Sequence, residues 1–221
     1  KTKINSNYTI AEIYNQANAK YTCYLKDSFV CFSPETFIKI KAGKIYSYPM
    51  KGTINASIPD AKNIILNDPK EISEHATMVD LIRNDLSRVS KNVKVNKYRY
   101  YEEIVTQDVN LGQVSSEIVG ELEANYCENI GEIIFNLLPA GSISGAPKQK
   151  TIQIIAAAEK EDRGYYTGIA GYYDGQTLDS TVLIRYLQND NYYRSGGGIT
   201  CNSEALNEYQ EMIDKVYVPL F

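Results

Sequence analysis

The segment Ser47–Thr53, Ser-Tyr-Pro-Met-Lys-Gly-Thr, places a lysine where it could do chemistry. Because Pro49 cannot donate to a sheet, the preceding strand is predicted to end there and to leave Lys51 in a loop. Gly52 lets the backbone approach a bulky group, and Thr53 adds a hydroxyl. A lysine held in this way is a candidate nucleophile or anion-binding group, with an ordinary solvated lysine as the alternative.

Two predicted helices each carry a pair of glutamates three residues apart, Glu71 with Glu74 and Glu208 with Glu211. Residues at this spacing share a helix face. Four carboxylates would repel one another if they converged, so either they face solvent separately or a divalent cation joins them. All-oxygen ligands with few protein contacts suit Mg²⁺. The pattern therefore indicates Mg²⁺ as the candidate cofactor.

A run of small residues, Gly141-Ser-Ile-Ser-Gly-Ala, precedes a helix predicted to begin at Pro147. Backbone N–H groups ahead of a helix favour anions, and Lys148 would add a mobile positive charge. The hydroxyls of Ser142 and Ser144 belong to the same turn. The spacing of glycines and lysine departs from the P-loop pattern, which excludes a nucleoside triphosphate site of that kind. Helix capping is the alternative interpretation.

Three further features suggest anion binding or acid catalysis. Arg185 is predicted to lie in a strand among apolar residues, where it should meet a carboxylate from the protein or from a ligand. The glycines 196–198 would weaken a strand unless another molecule approaches the backbone. Glu35, after Ser-Pro and before a strand, is a candidate acid or ion-pair partner. The single histidine, His75, is interpreted as a hydrogen-bonded neighbour rather than a ligand.

The composition is that of an ordinary globular protein. Of 221 residues, 43% are hydrophobic and 23% are charged, and the net charge is -4 without a basic block, which argues against nucleic-acid or anionic-membrane binding. No apolar run approaches the ~20 residues of a membrane span, and no signal peptide opens the chain. Four scattered cysteines without a C-x-x-C pair argue against zinc and against a dense disulfide framework. We expect a cytoplasmic protein with reduced thiols.

Hydrophobic periodicity predicts alternating helices and antiparallel strands. The predicted helices cover 9–19, 68–89, 113–122, 130–138, 147–160 and 203–216. The predicted strands cover 21–25, 29–32, 37–41, 44–46, 93–109, 165–173, 180–188 and 192 onward, with residues 55–62 as a loop. No repeat or linker divides the chain.

Taken together, these segments resemble the chorismate-utilising enzymes, which include anthranilate, aminodeoxychorismate, isochorismate and salicylate synthases. The matching segments occur in family order from Ser33 to the C-terminus, at 33–35, 49–53, 74–86, 139–148, 166–172, 184–185, 196–199 and 208–211. The resemblance implies an α+β fold of packed antiparallel sheets with helices outside. It also implies one catalytic domain over residues 1–221 that lacks its N-terminal part, since relatives extend upstream of Lys1.

The resemblance assigns roles to the candidate residues. Glu74 and Glu211 would hold Mg²⁺, with assistance from Glu71 and Glu208, and the metal would bind the ring carboxylate of chorismate. Glu35 matches the acid at the departing C4 hydroxyl. The positions that match those holding the enolpyruvyl carboxylate are Tyr166, Arg185, Gly197 and Gly198.

Lys51 distinguishes members of the family. Anthranilate and isochorismate synthases usually have alanine at this position, whereas aminodeoxychorismate synthases have a lysine that acts as a nucleophile. Gln113 replaces a histidine that is associated with pyruvate elimination, which favours retention of the enolpyruvyl group. The resemblance thus implies amination of chorismate with ammonia from a glutamine amidotransferase subunit. An anthranilate synthase and a non-catalytic chorismate-binding fragment are the alternatives.

Overall fold

A computed structural model of the chain describes residues 1–104, 110–201 and 203–219. Its backbone divides into two compact units. The first unit contains Lys1–Thr36, Glu161–Ala170 and Thr181–Phe221, and the second contains Phe37–Lys160 and Gly171–Ser180. The single catalytic domain stays a prediction. Within the described ranges, no helix is both long enough and apolar enough to cross a membrane.

The strands form two antiparallel sheets. In chain order they are β1 (Thr2–Lys3), β2 (Tyr21–Leu25), β3 (Phe29–Ser33), β4 (Thr36–Lys41), β5 (Lys44–Ser47), β6 (Met50–Asn55), β7 (Lys91–Ile104), β8 (Leu111–Glu121), β9 (Ile169–Tyr173), β10 (Leu178–Val182), β11 (Tyr186–Gln188) and β12 (Tyr192–Arg194). One sheet has the order β1-β12-β11-β3-β2. The other has the order β6-β8-β5-β4-β10-β9, with β7 also paired to β8.

The helices complete the α+β class that the sequence predicts. They are α1 (Ile10–Gln16), α2 (Ala61–Asn67), α3 (Pro69–Ser87), α4 (Ile130–Leu137), α5 (Gly141–Ser144), α6 (Lys148–Ala158) and α7 (Ala205–Asp214). Helix α3 begins as expected, since the Asp68 side chain accepts a hydrogen bond from Glu71 N at 3.0 Å and Pro69 occupies the first turn. Helix α2 was not predicted.

Strand β3 contributes to hydrophobic clusters on both faces of the first unit's sheet. Val30 and Phe32 pack with α1, whereas Phe29 and Cys31 pack with Leu183 and Tyr186. Successive side chains in a strand point to opposite faces, so this alternation buries every residue of β3.

Residues 113–122, predicted as a helix, instead form most of the strand β8. This strand pairs with β5 and β6 along one edge and with β7 along the other. Val114, Ile118 and Val119 are buried. Pairing on both edges outweighs local helix propensity, and β-branched residues suit a buried strand. Strand β7 confirms the predicted strand as far as Ile104, and residues 105–109 lie outside the described ranges.

Two of the predicted strands have different limits. The strand predicted over 165–173 begins only at Ile169, because a turn precedes it in which Gly168 N donates to Tyr165 O at 3.0 Å. The strand predicted over 180–188 is interrupted between β10 and β11, which belong to different sheets. The interruption contains Arg185, whose φ of 54° lies in the left-handed region.

Candidate functional site

Lys51 lies on strand β6 and not in a loop. Pro49 interrupts the sheet only briefly, because its carbonyl accepts a hydrogen bond from Ser116 N at 3.0 Å and pairing with β8 resumes at Met50. The register then shifts between Met50 and Thr53, so that Lys51 and Gly52 occupy a β-bulge. Bulges redirect side chains, and this one fixes the position of the lysine.

The amine of Lys51 lies beside the glutamate pair of helix α3. Lys51 Nζ is 2.6 Å from Glu74 Oε2, and the Glu74 side chain is only 16% exposed. Burial raises the pKa of Glu71, an effect that Lys51 opposes and Glu74 strengthens. Glu71 Oε2 is buried and has no hydrogen-bond partner among the described residues. We call Lys51, Glu71 and Glu74 the lysine–glutamate cluster.

Replacing Gly52 by alanine is expected to destabilise the second unit more than the same change at Gly43. Both glycines have φ in the left-handed region, at 86° and 72°, which costs alanine about 1–2 kcal/mol. Only at Gly52 would the added Cβ meet other atoms, at 2.8 Å from Glu71 Oε2 and 3.2 Å from Ile65 Cδ1. Urea unfolding of both variants measures the difference, and equal losses of stability would contradict the close approach of Glu71.

His75, which follows Glu74 on helix α3, is hydrogen-bonded to strand β8. It is therefore the hydrogen-bonded neighbour that the sequence predicts. The side chain is fully buried, and Nε2 lies 2.7 Å from Ser116 Oγ. The same hydroxyl accepts from Arg99 N at 2.9 Å. Burial lowers the pKa of His75 to about 4, Arg99 acts in the same direction, and the Lys51 backbone opposes them. His75 is therefore a neutral, internal link.

The depressed pKa of His75 predicts a loss of stability in mild acid. Between pH 6.5, the ordinary pKa of histidine, and about pH 4, the unfolded chain binds a proton that the folded chain does not. The free energy of unfolding therefore decreases as the pH is lowered through this range. The loss should reach about 3 kcal/mol near pH 4. Because the chain has a single histidine, its imidazole NMR signal is unambiguous. Titration of that signal near pH 6.5 in the folded protein would refute this prediction.

The serine–glycine run forms a one-turn helix, α5, instead of an open turn. The N–H groups of Ser144 and Gly145 donate to the carbonyls of Ala140 and Gly141 at 3.0 and 2.8 Å. Ser144 is buried, and its hydroxyl donates to Ala140 O at 3.1 Å. These backbone groups are thus engaged in local structure, and α6 begins after Pro147 without a side-chain cap hydrogen bond. Ser142 lies on the same turn.

Lys148 is held in a buried ion pair and is not a mobile charge. Its amine lies 2.7 Å from Asp85 Oδ2 and donates to Leu137 O at 3.1 Å. The two side chains are 14% and 8% exposed. Asp85 lies on helix α3, which is otherwise partly exposed. It is buried because Lys148, distant in sequence, neutralises its carboxylate.

Replacing Lys148 by methionine is expected to destabilise the protein by about 3–5 kcal/mol, because the carboxylate of Asp85 would remain buried without its partner. The matched change at the exposed pair of Arg83 and Asp80, Arg83→Met, should lose less than about 1 kcal/mol. Urea unfolding measures both. A raised KM for substrate without loss of stability would instead support direct substrate binding by Lys148.

Arg185 lies in the first unit, in the irregular segment between β10 and β11. Its guanidinium lies over the Tyr217 ring at 5.8 Å. Within the described ranges Arg185 forms no salt bridge, and its buried Nε has no hydrogen-bond partner. An arginine in this state favours an anionic ligand.

Tyr166 and the glycine run are neighbours in the same unit. A Cβ added to Gly196 would lie 3.1 Å from Tyr166 Oη, and one added to Gly197 would lie 3.3 Å from Glu208 Oε2. The run is irregular and follows β12, and a Cβ added to Gly198 would meet open space. The small residues thus leave the backbone close to these side chains. We call Tyr166, Arg185 and Gly196–Gly198, which belong to the same unit, the arginine–glycine set.

The glutamates of helix α7 have polar partners in the first unit. Glu208 Oε1 accepts from Ser203 Oγ at 2.6 Å, and Glu211 pairs with Lys215. Glu35 immediately precedes β4, as expected, and its carbonyl accepts from Thr181 Oγ1 at 2.7 Å. In the second unit, the exposed Thr53 pairs in register with Gln113.

The chemistry of the glutamates fits Mg²⁺, which takes carboxylate oxygens and water. The buried Glu71 Oε2, which no described group satisfies, is consistent with a cation. Among the described residues, no three His, Cys, Asp or Glu side chains are grouped as a protein-only metal site would require. Magnesium binding stays a prediction.

The sequence did not indicate the hydrogen bonds of Ser116 and Arg99 that hold the candidate residues in place. Ser116 and Arg99 position His75 and the Lys51 strand, and Arg99 also donates to the Leu66 and Ile65 carbonyls at 2.9 and 3.2 Å. These contacts join separate elements, so no local pattern indicates them. The one available signal was the positively charged Arg99 in a strand rich in tyrosine.

An α+β fold with a lysine beside paired glutamates, and with an arginine that forms no salt bridge within the described ranges, is suited to an enzyme for an anionic small molecule. The chain belongs to the chorismate binding enzyme family, whose model matches residues 1–220. This finding confirms the family indicated by the sequence.

Similar proteins from three bacteria support the assignment. An "uncharacterized PabA-like protein" of Haemophilus influenzae is 53% identical over 99% of this chain and 68% of its own length. The aminodeoxychorismate synthase component 1 of Bacillus subtilis is 31% identical over 95% of this chain and 47% of its own. The crystal structure of anthranilate synthase component I from Streptococcus pneumoniae superposes with a TM-score of 0.78 at 30% identity, covering 97% of this chain and 49% of the other.

Proposed function

We propose that the chain is the catalytic part of an aminodeoxychorismate synthase component I, which converts chorismate and ammonia to 4-amino-4-deoxychorismate and water. The observation that carries the proposal is the lysine–glutamate cluster, in which a β-bulge sets the Lys51 amine against an acidic helix. A lysine at this position is what the resemblance requires of a nucleophile. Alanine there would leave the cluster without a nucleophile.

Lys51 acts through its neutral amine. The nitrogen attacks ring C2, the double bond shifts, and the C4 hydroxyl leaves as water after protonation, which the resemblance assigns to Glu35. Ammonia then adds at C4, and the reverse shift releases Lys51. Covalent catalysis of this kind divides one difficult displacement into two.

The ion pair with Glu74 favours the protonated, unreactive form of Lys51. The lysine must therefore lose this partner and its proton before it attacks. As the resemblance implies, Mg²⁺ held by Glu74 with assistance from Glu71 would neutralise these carboxylates and bind the ring carboxylate of chorismate. Desolvation of the amine acts in the same direction. The resting ion pair thus keeps Lys51 in position until substrate and metal are bound.

By the resemblance, the arginine–glycine set would bind the enolpyruvyl carboxylate of chorismate. The Arg185 guanidinium can hold a carboxylate through two hydrogen bonds, and the glycine backbone presents N–H groups without side-chain obstruction. Tyr166 Oη adds a donor beside Gly196. Ammonia would come from a separate glutamine amidotransferase subunit, as in the family.

Anthranilate synthase is the second candidate, because the relative of known structure with that name is as similar in sequence as the aminodeoxychorismate synthase. Lys51 and Gln113 favour the first candidate, since each departs from the pattern that the resemblance associates with anthranilate formation.

Product analysis distinguishes the candidates. The protein is incubated with chorismate, Mg²⁺ and ammonium, and the products are identified by mass spectrometry. We expect 4-amino-4-deoxychorismate without pyruvate. Anthranilate with pyruvate would support the second candidate, and chorismate binding without turnover would support a binding fragment.

A further inference from the structure

Cys23 and Cys31 occupy directly opposed positions on neighbouring strands. Strand β2 is at the edge of the first unit's sheet, and Cys23 pairs in register with Cys31 of β3. Opposed residues of an antiparallel pair project from the same face, with Cα atoms about 4.5–5.5 Å apart. This separation lies within the range of about 4.4–6.8 Å that a disulfide spans. The strands could therefore remain paired if the two sulfurs were joined.

The two thiols differ in exposure and acidity. Cys31 is fully buried, whereas Cys23 is half-buried on the edge strand. A hydrogen bond from Cys31 lowers the pKa of Cys23 to about 7. The same hydrogen bond and burial raise the pKa of Cys31. Cys23 is thus the more reactive thiol, and Cys31 lies directly opposite as the candidate resolving thiol.

We propose that Cys23 and Cys31 form a reversible oxidation site for hydroperoxides. The Cys23 thiolate attacks the peroxide, the O–O bond breaks, and Cys23 becomes a sulfenic acid as the departing oxygen leaves as hydroxide or alkoxide. Cys31 then attacks the Cys23 sulfur, the S–O bond breaks, and water leaves with the Cys31 proton. For hydrogen peroxide, two thiols and one peroxide give one disulfide and two waters, and a dithiol reductant reverses the reaction.

The site lies in the cluster that supports Tyr166. Cys31 packs with Phe29, Leu183 and Tyr186, and both Cys23 and Tyr166 pack against the same cluster. The Tyr166 ring contacts the edge of Tyr186 at 5.9 Å between centroids. Oxidation is therefore expected to weaken chorismate binding. This consequence rests on the proposed function, whereas disulfide formation does not.

The decisive experiment isolates the pair in the otherwise intact chain. The protein carries Cys127→Ser and Cys201→Ser, so that Cys23 and Cys31 are its only thiols. The folded protein is treated with equimolar hydrogen peroxide and then alkylated with N-ethylmaleimide under denaturing conditions. Its mass is measured by mass spectrometry. We expect the loss of two hydrogen atoms, no alkylation, and full reversal by dithiothreitol. Two maleimide additions after treatment, or stable oxygen addition to Cys23, would overturn the proposal.

Single variants in the same background test the assigned order. Cys31→Ser should stop at a Cys23 sulfenic acid that dimedone traps, and Cys23→Ser should leave Cys31 unoxidised at the same peroxide dose. Oxidation of Cys31 in the Cys23→Ser variant would overturn the assignment of Cys23 as the reacting thiol. Chorismate binding is measured separately: unchanged affinity with a formed disulfide counts only against the expected effect on binding, whereas absent chorismate binding by the reduced protein counts against the proposed function.

Discussion

Lys51→Ala is expected to reduce formation of 4-amino-4-deoxychorismate by on the order of 10³-fold or more, because no other group would form the covalent intermediate. Lys51→Arg should be as inactive although it retains the positive charge beside Glu74. The arginine variant therefore separates the nucleophilic role from an electrostatic one. Rates are measured with saturating chorismate, Mg²⁺ and ammonium.

Lys70 provides the matched control for this experiment. Its amine lies 4.0 Å from the other carboxylate oxygen of Glu74, and its side chain is 55% exposed. Lys70→Ala should change the rate less than about threefold, as exposed pairs contribute little. Substantial activity in Lys51→Arg would show that only a charge is needed at this position and would remove the basis of the covalent mechanism.

Arg185→Met is expected to weaken chorismate binding by about 10²-fold, because a buried charge-assisted pair would lose its cation. Arg185→Lys should recover only part of the affinity, since an ammonium cannot reproduce the planar pair of donors. Isothermal titration of chorismate, with Mg²⁺ present, measures both variants.

Thermal unfolding shows whether Arg185→Met weakens chorismate binding directly or by destabilising the protein. Because Arg185 has no ion-pair partner among the described residues, Arg185→Met should retain most of the stability of the protein. Arg83→Met, at an exposed ion pair, is the control for loss of an arginine. Unchanged chorismate affinity together with a lowered Tm would assign Arg185 a structural role through its stacking on Tyr217.

Features that depend on neighbouring residues were predictable from the sequence. The strands predicted over 37–41 and 44–46 pair as a hairpin through a two-residue turn at Ala42 and Gly43, both at positive φ. Asp68 and Pro69 begin helix α3 as predicted, and Glu35 precedes β4. The family could also be recognised, because its residues occur as short contiguous segments.

The tertiary structure decided which of these residues act through distant partners. Residues 113–122 became a strand because β5, β6 and β7 satisfy the backbone of β8 on both edges. Lys148 became a buried structural charge because Asp85, 63 residues away in the chain, lies beside it. Lys51 is held in a bulge because Ser116 and His75 connect its strand to β8 and α3. Local propensity acts over a few residues, whereas hydrogen bonds and ion pairs between separate elements exist only once the chain has folded, and those contacts determine where each candidate side chain lies.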